Sequence, residues 1–314
     1  MGAKIFIDGA VGTTGLEIRE RLSARKDLSL ITLSDDKRKD EAARKAALNQ
    51  ADVVILCLPD DAARQAVSLI ENPNTRVIDA STAHRVADGW AYGLPELEPG
   101  LREKIAASKR VGNPGCWATG FLLLARPLVR AGIVPPDFPL SVHGVSGYSG
   151  GGKSMIEEFE KKDSPVYVDT VQRSYALGLG HKHIPEMQAH AGLKHPPLFS
   201  PAVARFYRGM LVEVPLPLWA FGKAKPRDVH AALADAYKGA KLIEVAGLEE
   251  AAAMKSLDAE MLAGSNAAKL FVFANEASGQ ARLAAVFDNL GKGAGGAAVQ
   301  NLNLMLGVAE TTGL

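Results

Sequence analysis

KIFIDGAVGTTGLEIRERL, residues 4–22, decides how the rest of the chain is read. KIFID (4–8) has the apolar, β-rich character of a buried strand. LEIRERLSAR (16–25) has the spacing of an amphipathic helix. Between them lie Gly9, Gly12, Thr13, Thr14 and Gly15, spaced GxxGxxG where a standard dinucleotide fingerprint reads GxGxxG. Glycines at such a strand-to-helix turn permit a tight bend. They also let backbone N–H groups approach a pyrophosphate at the helix N-terminus. The alternative is an ordinary strand–helix turn, so the flanking sequence carries the decision.

That sequence continues the rhythm. LSLITL (28–33), DVVILCLP (52–59) and RVIDAS (76–81) read as further strands, and DEAARKAALNQ (40–50) and DDAARQAVSLI (60–70) as helices. Alternating strands and helices predict an α/β fold, with an open Rossmann-type parallel sheet covered on both faces. The second strand ends at Ser34-Asp35-Asp36-Lys37-Arg38. Asp35 lies where an acid would bind a ribose 2′-hydroxyl, as for NAD. Lys37 and Arg38 would instead pair with a 2′-phosphate, as for NADP. A solvated charge run is the third reading.

The pattern changes near GNPGC (112–116). A helix is expected over 118–132. A strand, glycine loop and helix start are expected over 140–154, a strand over 208–218 and a helix over 227–240. KLFVFANE and ARLAAVFDN read as antiparallel strands, and 293–310 as a terminal helix after a flexible lead. The chain thus predicts two domains within 314 residues.

Composition excludes several classes. Thirty-six basic and 35 acidic side chains leave a net charge of +1, with no field to draw nucleic acid or an anionic membrane. No apolar run approaches the roughly 20 residues that span a bilayer. Two cysteines, Cys57 and Cys116, make neither a disulfide framework nor a zinc pattern, and the expected location is the cytoplasm.

Cys57 lies inside an apolar strand and reads as a small buried hydrophobe. Cys116 follows Asn113-Pro114-Gly115 and opens a helix, a setting that stabilises a thiolate and makes a nucleophile. A partner acid or base is sought in Gly180-His181-Lys182-His183-Ile184-Pro185-Glu186. On an extended segment His181 and His183 share a face, one as base and the other as substrate ligand. HxHxxE also admits a metal, but no further ligand is sequence-close, and none is expected. The other five histidines have no comparable setting.

Gly147-Tyr-Ser-Gly-Gly-Gly152-Lys153-Ser154 matches the phosphate-binding pattern GxxxxGK[ST], and LAAVFD (283–288) passes for a distal Walker B strand. Alone these would suggest a nucleotide phosphotransferase. The same loop can instead hold a substrate phosphate through Ser149–Gly152 amides and Lys153, or be purely structural.

GAVGTTG, CLPDDAAR, RVIDASTAHR, NPGCWATGF, SVHGVSGYSGGGK, HKHIPEM and DNLGKGA together resemble the N-acetyl-γ-glutamyl-phosphate reductases in their shorter, type 2 form, essentially end to end. The GxxG opening is shared with the related aspartate-semialdehyde dehydrogenases, which supply a second reading with the same chemistry. The resemblance implies NADPH, a Rossmann domain at 1–115 plus 293–314, and an inserted α+β catalytic domain at 116–292. The last helix returns to the first domain. It implies a homo-oligomer, dimer or tetramer, in arginine biosynthesis. Cys116 matches the catalytic cysteine, which forms a thioester, and His181 the catalytic histidine, which supplies a proton. Gly9, Thr13, Gly15, Ser81 and Asn289 match cofactor-side positions. Ser149, Lys153 and Arg85 are expected to grip substrate, with His183 and Glu186 nearby.

Overall fold

The computed structural model describes residues 2–222 and 224–314. From the N-terminus the elements are β1 (Ala3–Asp8), α1 (Thr13–Ser23), β2 (Leu28–Ile31), α2 (Glu41–Gln50), β3 (Val53–Leu56), α3 (Asp60–Ser68), β4 (Arg76–Asp79), β5 (Ala91–Tyr92), α4 (Leu101–Ala107) and β6 (Arg110–Gly112). Next come α5 (Cys116–Arg130), β7 (Ser141–Gly147), α6 (Gly152–Glu160), β8 (Gln172–Ser174), α7 (Ile184–Ala191) and β9 (Leu198–Ala204). Then follow β10 (Met210–Pro217), α8 (Pro226–Ala236), β11 (Ile243–Val245), α9 (Leu248–Ala253), β12 (Ala268–Asn275), β13 (Gln280–Phe287) and α10 (Gly296–Leu306).

Two compact units result. The first holds Met1–Pro95, Pro99–Gly115 and Ala294–Leu314; the second holds Glu96–Glu98 and Cys116–Gly293. The first contains a six-stranded, wholly parallel sheet in the order β2-β1-β3-β4-β6-β5. The Rossmann-type expectation holds for a simple reason. Every residue of β3 is buried, so its unbroken apolar run has two faces to fill. Phe6, Leu48, Val54, Leu56, Ala63 and Val77 form one of those cores. At about 1.5–3 kcal/mol per large buried side chain, such a core is ample for a domain of this size. Helix α10 belongs to this unit although it closes the chain. It is buried nearly all round, and its Asn301 side chain donates to Gly93 O (2.9 Å) and Asn113 Oδ1 (3.0 Å). The terminal helix begins at Gly296 and not at 293. Gly291–Gly295 instead forms a turn of π-helix.

The second unit carries a seven-stranded mixed sheet in the order β11-β12-β13-β10-β7-β9-β8. β12 and β13 pair antiparallel, as their alternation suggests. Helix α5 lies on this sheet. A Cβ at Gly120 would come within 2.5 Å of Val212 and 2.9 Å of Phe287, so glycine sets how closely helix and sheet approach. Pro127, inside α5, has no N–H for the carbonyl of Leu123. The buried Tyr237 hydroxyl donates to that carbonyl at 2.7 Å and satisfies it.

Candidate active site

The first unit gathers a cradle at the C-terminal end of β1. Gly9 has φ +87°, and a Cβ there would lie 2.3 Å from Cys57 O. A Cβ at Gly15 would lie 2.5 Å from Gly9 O. Gly12 is the N-cap of α1, its amide bonded to Gly9 O at 3.0 Å. The first turn of α1 has no acid to neutralise its amides. Thr13 Oγ1 is buried with no hydrogen-bond partner among the described residues. A backbone cradle of glycines, open helix amides and an unsatisfied hydroxyl fits the pyrophosphate of a dinucleotide.

Past β2, the Lys37 and Arg38 amides both donate to Ser34 O. The Ser34 hydroxyl holds the Asp36 carboxyl below the usual carboxylate range. Arg38 pairs with Asp35 at 3.2 Å, and Lys37 is exposed. The acid and base offered for rival cofactors thus neutralise each other. At the end of β4, Ser81 bonds through both N–H and Oγ to the buried Asp79 (2.9 and 2.7 Å). His84, which the sequence leaves without a role, joins the same carboxylate at 2.6 Å and stacks on Trp90 at 4.1 Å. Arg85 is buried; its guanidinium donates to Asn113 O (2.9 Å) and Ala80 O (3.0 Å). Burial, and then the charges of Asp79 and Asp8, push the Cys57 thiol up to about 12, so this cysteine is no nucleophile.

The second unit places Cys116 at the first position of α5, a 15-residue helix. Its partly exposed thiol sits where the helix dipole favours a thiolate. The next residue, Trp117, is buried flat over β7 because residue 144 is glycine. A Cβ there would meet the indole at 2.6 Å. The Trp117 Nε1–H donates to the Tyr175 hydroxyl oxygen at 2.8 Å. The Tyr175 and His181 rings lie 5.9 Å apart, and Phe199 stands edge-on to both Trp117 (5.2 Å) and His181 (5.0 Å). Trp117, directly after Cys116, thus belongs to one aromatic cluster with Tyr175, Phe199, His181 and His183.

The extended reading of 181–183 is corrected. His183 is helical in conformation and caps α7, so the segment is a turn. The rings stand 4.7 Å apart and perpendicular. The turn lets the His183 amide donate to His181 Nδ1 at 3.1 Å. By that bond, the neutral His181 ring carries its proton on Nε2. The sequence argument asks this ring to supply a proton; the geometry first makes it a hydrogen-bond donor. His183 and Glu186 are buried. Among the described residues no group of three His, Cys, Asp or Glu is arranged to hold a metal ion.

The setting of GxxxxGK[ST] is not that of a nucleotide phosphotransferase. The amides of Gly147, Tyr148 and Ser149 donate to the carbonyls of Gly209, Phe206 and Tyr207, and that of Gly152 to Ser149 O. Of the Ser149–Gly152 amides, those of Ser149 and Gly152 are thus engaged. β7 sits in a mixed sheet, and β10 separates it from β13, the supposed Walker B strand. Ser149 is buried, its hydroxyl accepting from Asn289 Nδ2 at 2.9 Å, while Asn289 Oδ1 accepts from Gly209 N at 2.9 Å. Ser149 and Asn289 thus form a second neighbourhood, and Lys153 is exposed on the first turn of α6.

Sequence reasoning missed Trp117, Tyr175 and a buried ion pair behind the cysteine. A Cβ at Gly293 would lie 2.8 Å from Cys116 Cβ, so the π-turn packs directly on Cys116. Its Lys292 is fully buried, with Nζ 2.8 and 2.9 Å from the two Glu96 oxygens. Lys292→Met should cost about 3–5 kcal/mol, because it leaves a buried carboxylate uncompensated. Urea unfolding checks this; a loss under about 1 kcal/mol would contradict it.

Comparison with known proteins agrees with this geometry. Residues 4–107 match the model described as semialdehyde dehydrogenase, NAD binding domain, and residues 116–289 match the semialdehyde dehydrogenase, dimerisation domain. The chain is 51% identical to an N-acetyl-γ-glutamyl-phosphate reductase of Trichormus variabilis, over 99% of each chain. It is 53% identical to one of Brucella anthropi, over 98% of this chain and 99% of that one. A probable aspartate-semialdehyde dehydrogenase from Pseudomonas aeruginosa shares the fold, with TM-score 0.70, 18% identity and coverage of 98% and 99%. So does an aspartate semialdehyde dehydrogenase with NADP from Candida albicans, with TM-score 0.66, 13% identity and the same coverage. The nucleophile-bearing helix, the glycine cradle and these relatives agree, and the chain belongs to the semialdehyde dehydrogenase family, among its N-acetyl-γ-glutamyl-phosphate reductases.

Proposed function

We propose that this chain reduces N-acetyl-γ-glutamyl phosphate to N-acetylglutamate semialdehyde with NADPH. The observation that carries the reading is Cys116 at the N-terminus of α5, followed by Trp117, which shares an aromatic cluster with His181, in a chain about half identical to named reductases. The Cys116 thiolate attacks the acyl carbon, the bond to the phosphate oxygen breaks, and inorganic phosphate leaves with one proton. A thioester remains. A bound reduced nicotinamide supplies the hydride for its reduction. The thiohemiacetal oxyanion re-forms the carbonyl and expels the Cys116 thiolate. His181 donates from Nε2 to the oxygen that gains charge in both tetrahedral species. His183 holds that ring through its amide and lines the site. Arg85, Ser149, Lys153 and Glu186 are the candidates for holding the substrate's phosphate and carboxylate. Gly9, Gly12, Thr13, Thr14 and Gly15 hold the pyrophosphate, with Ser34, Ser81 and Asn289 toward the rest of the cofactor.

The test is reduction of NADP with N-acetylglutamate semialdehyde, dependent on phosphate, beside aspartate semialdehyde. Preference for the aspartyl substrate would move the reading to the sister activity. NADPH over NADH is assigned to the exposed Lys37 and to Arg38, the latter released from Asp35 by a 2′-phosphate. Lys37→Ala with Arg38→Ala should lower the NADPH preference about tenfold or more, one charge-assisted contact being worth about 1.5–3 kcal/mol. An unchanged ratio of kcat/KM values for the two cofactors would refute that assignment.

The matched dimerisation model supports a homo-oligomer, dimer or tetramer, which sedimentation will distinguish. No helix among the described residues is long and apolar enough to cross a membrane, and a cytoplasmic location suits a biosynthetic enzyme with two free cysteines.

A further inference from the structure

Gly291–Gly295, the π-helical turn that lies against Cys116, holds three glycines and a lysine in five residues. Glycine is a poor helix former, and single π turns are rare and often mark functional sites. This turn is held from two sides. The Asp288 carboxylate accepts from the amides of Leu290 (2.8 Å) and Gly291 (3.1 Å), and the Asp288 carbonyl from that of Gly293 (3.0 Å). Lys292 Nζ donates to both oxygens of Glu96, with the two side chains almost wholly out of solvent. A buried ion pair seldom adds stability over well-packed apolar residues; fixing a register is its best-attested use.

The register decides which residue faces Cys116. The side-chain direction of Gly293 points at it: a Cβ there would lie 2.8 Å from Cys116 Cβ and 3.3 Å from Cys116 Cα. A slip of one residue would bring Lys292 or Ala294, each bearing a Cβ, to that place. We propose that Glu96 and Lys292 are positioning residues for Cys116, acting through Gly293. The pair locks the register of the π-turn, and the bare backbone of Gly293 seats the Cα and Cβ of the cysteine against a fixed support. The proposal rests on the role given to Cys116 in the reaction above. Such a support matters because a misplacement of about 1 Å can cost on the order of a hundredfold in rate.

The experiment compares three variants. In Gly293→Ala the two Cβ atoms must part by about 0.6 Å or more to reach ordinary contact. For phosphate-dependent reduction of NADP with N-acetylglutamate semialdehyde, kcat should fall about 10- to 100-fold, with each KM within about twofold of the parent. Lys292→Met should lower both kcat and the urea midpoint. Adding Glu96→Leu removes the stranded carboxylate, so the double variant should regain most of that midpoint while kcat stays about tenfold or more below the parent. A pair that served stability alone would regain both together. Parental kcat in the double variant or in Gly293→Ala therefore overturns the proposal. Iodoacetamide alkylation, followed on the peptide containing Cys116, needs neither substrate nor cofactor. Its pH midpoint should rise by about half a unit in Gly293→Ala, as the sulfur is pushed from the place where the amides of α5 favour the thiolate. An unmoved midpoint overturns the proposal by itself. A raised midpoint in a protein whose parent lacks the reductase activity supports the positioning and refutes the reading of the reaction alone.

Discussion

Cys116→Ser is expected to lower kcat on the order of 10³-fold or more while leaving NADPH binding nearly intact. A serine at the start of α5 keeps the helix and its cap but lacks the acidity to form an attacking anion near neutral pH. The dinucleotide cradle lies in the other unit, around Gly9 and Gly15. Cys57→Ser provides the contrast. That thiol is pushed up to about 12 and serves packing, so its loss should leave kcat close to the parent. Steady-state kinetics with fluorescence titration of NADPH check the pair. Full turnover in Cys116→Ser would end the covalent mechanism.

His181→Asn should reduce kcat by about 10²- to 10³-fold, the usual loss on removing one preorganised donor to an oxyanion, with a smaller effect on KM. The reason lies in one short contact. With Nδ1 accepting the His183 amide, the neutral ring keeps its proton on Nε2, and the backbone bond holds the ring in place. His183→Asn keeps that backbone amide, so it should act mainly on KM. Kinetic constants for both variants decide the matter. If His183→Asn carries the loss in kcat and His181→Asn the change in KM, the roles are reversed.

The parallel sheet was legible because the residues of β3 are apolar on both faces, and Gly9 and Gly15 between β1 and α1 mark a bend where a Cβ would clash with backbone. The place of Cys116 at the start of a helix was legible because turn residues precede it and an apolar run follows it. Other features depend on which partner a residue finds in space. HKH has the spacing of a strand pair, yet the helix that starts at Ile184 draws it into a turn. The glycine loop satisfies GxxxxGK[ST] by composition, while the amides of Gly147, Tyr148 and Ser149 are taken up by the carbonyls of Gly209, Phe206 and Tyr207. Lys292 and Glu96 are far apart in sequence, and nothing local announces that two charges will be fully buried against each other. Tyr175 is one tyrosine in a loop without periodicity; only its bond to Trp117 distinguishes it.

The central claim is a covalent acyl group on Cys116, and the direct measurement is mass spectrometry of the enzyme incubated with N-acetylglutamate semialdehyde and NADP while phosphate is withheld. Oxidation of the thiohemiacetal then has no acceptor for the acyl group. The account predicts an N-acetylglutamyl adduct on the peptide containing Cys116, released when phosphate is added. Turnover on adding phosphate, with no adduct beforehand or with the adduct on another residue, would contradict it.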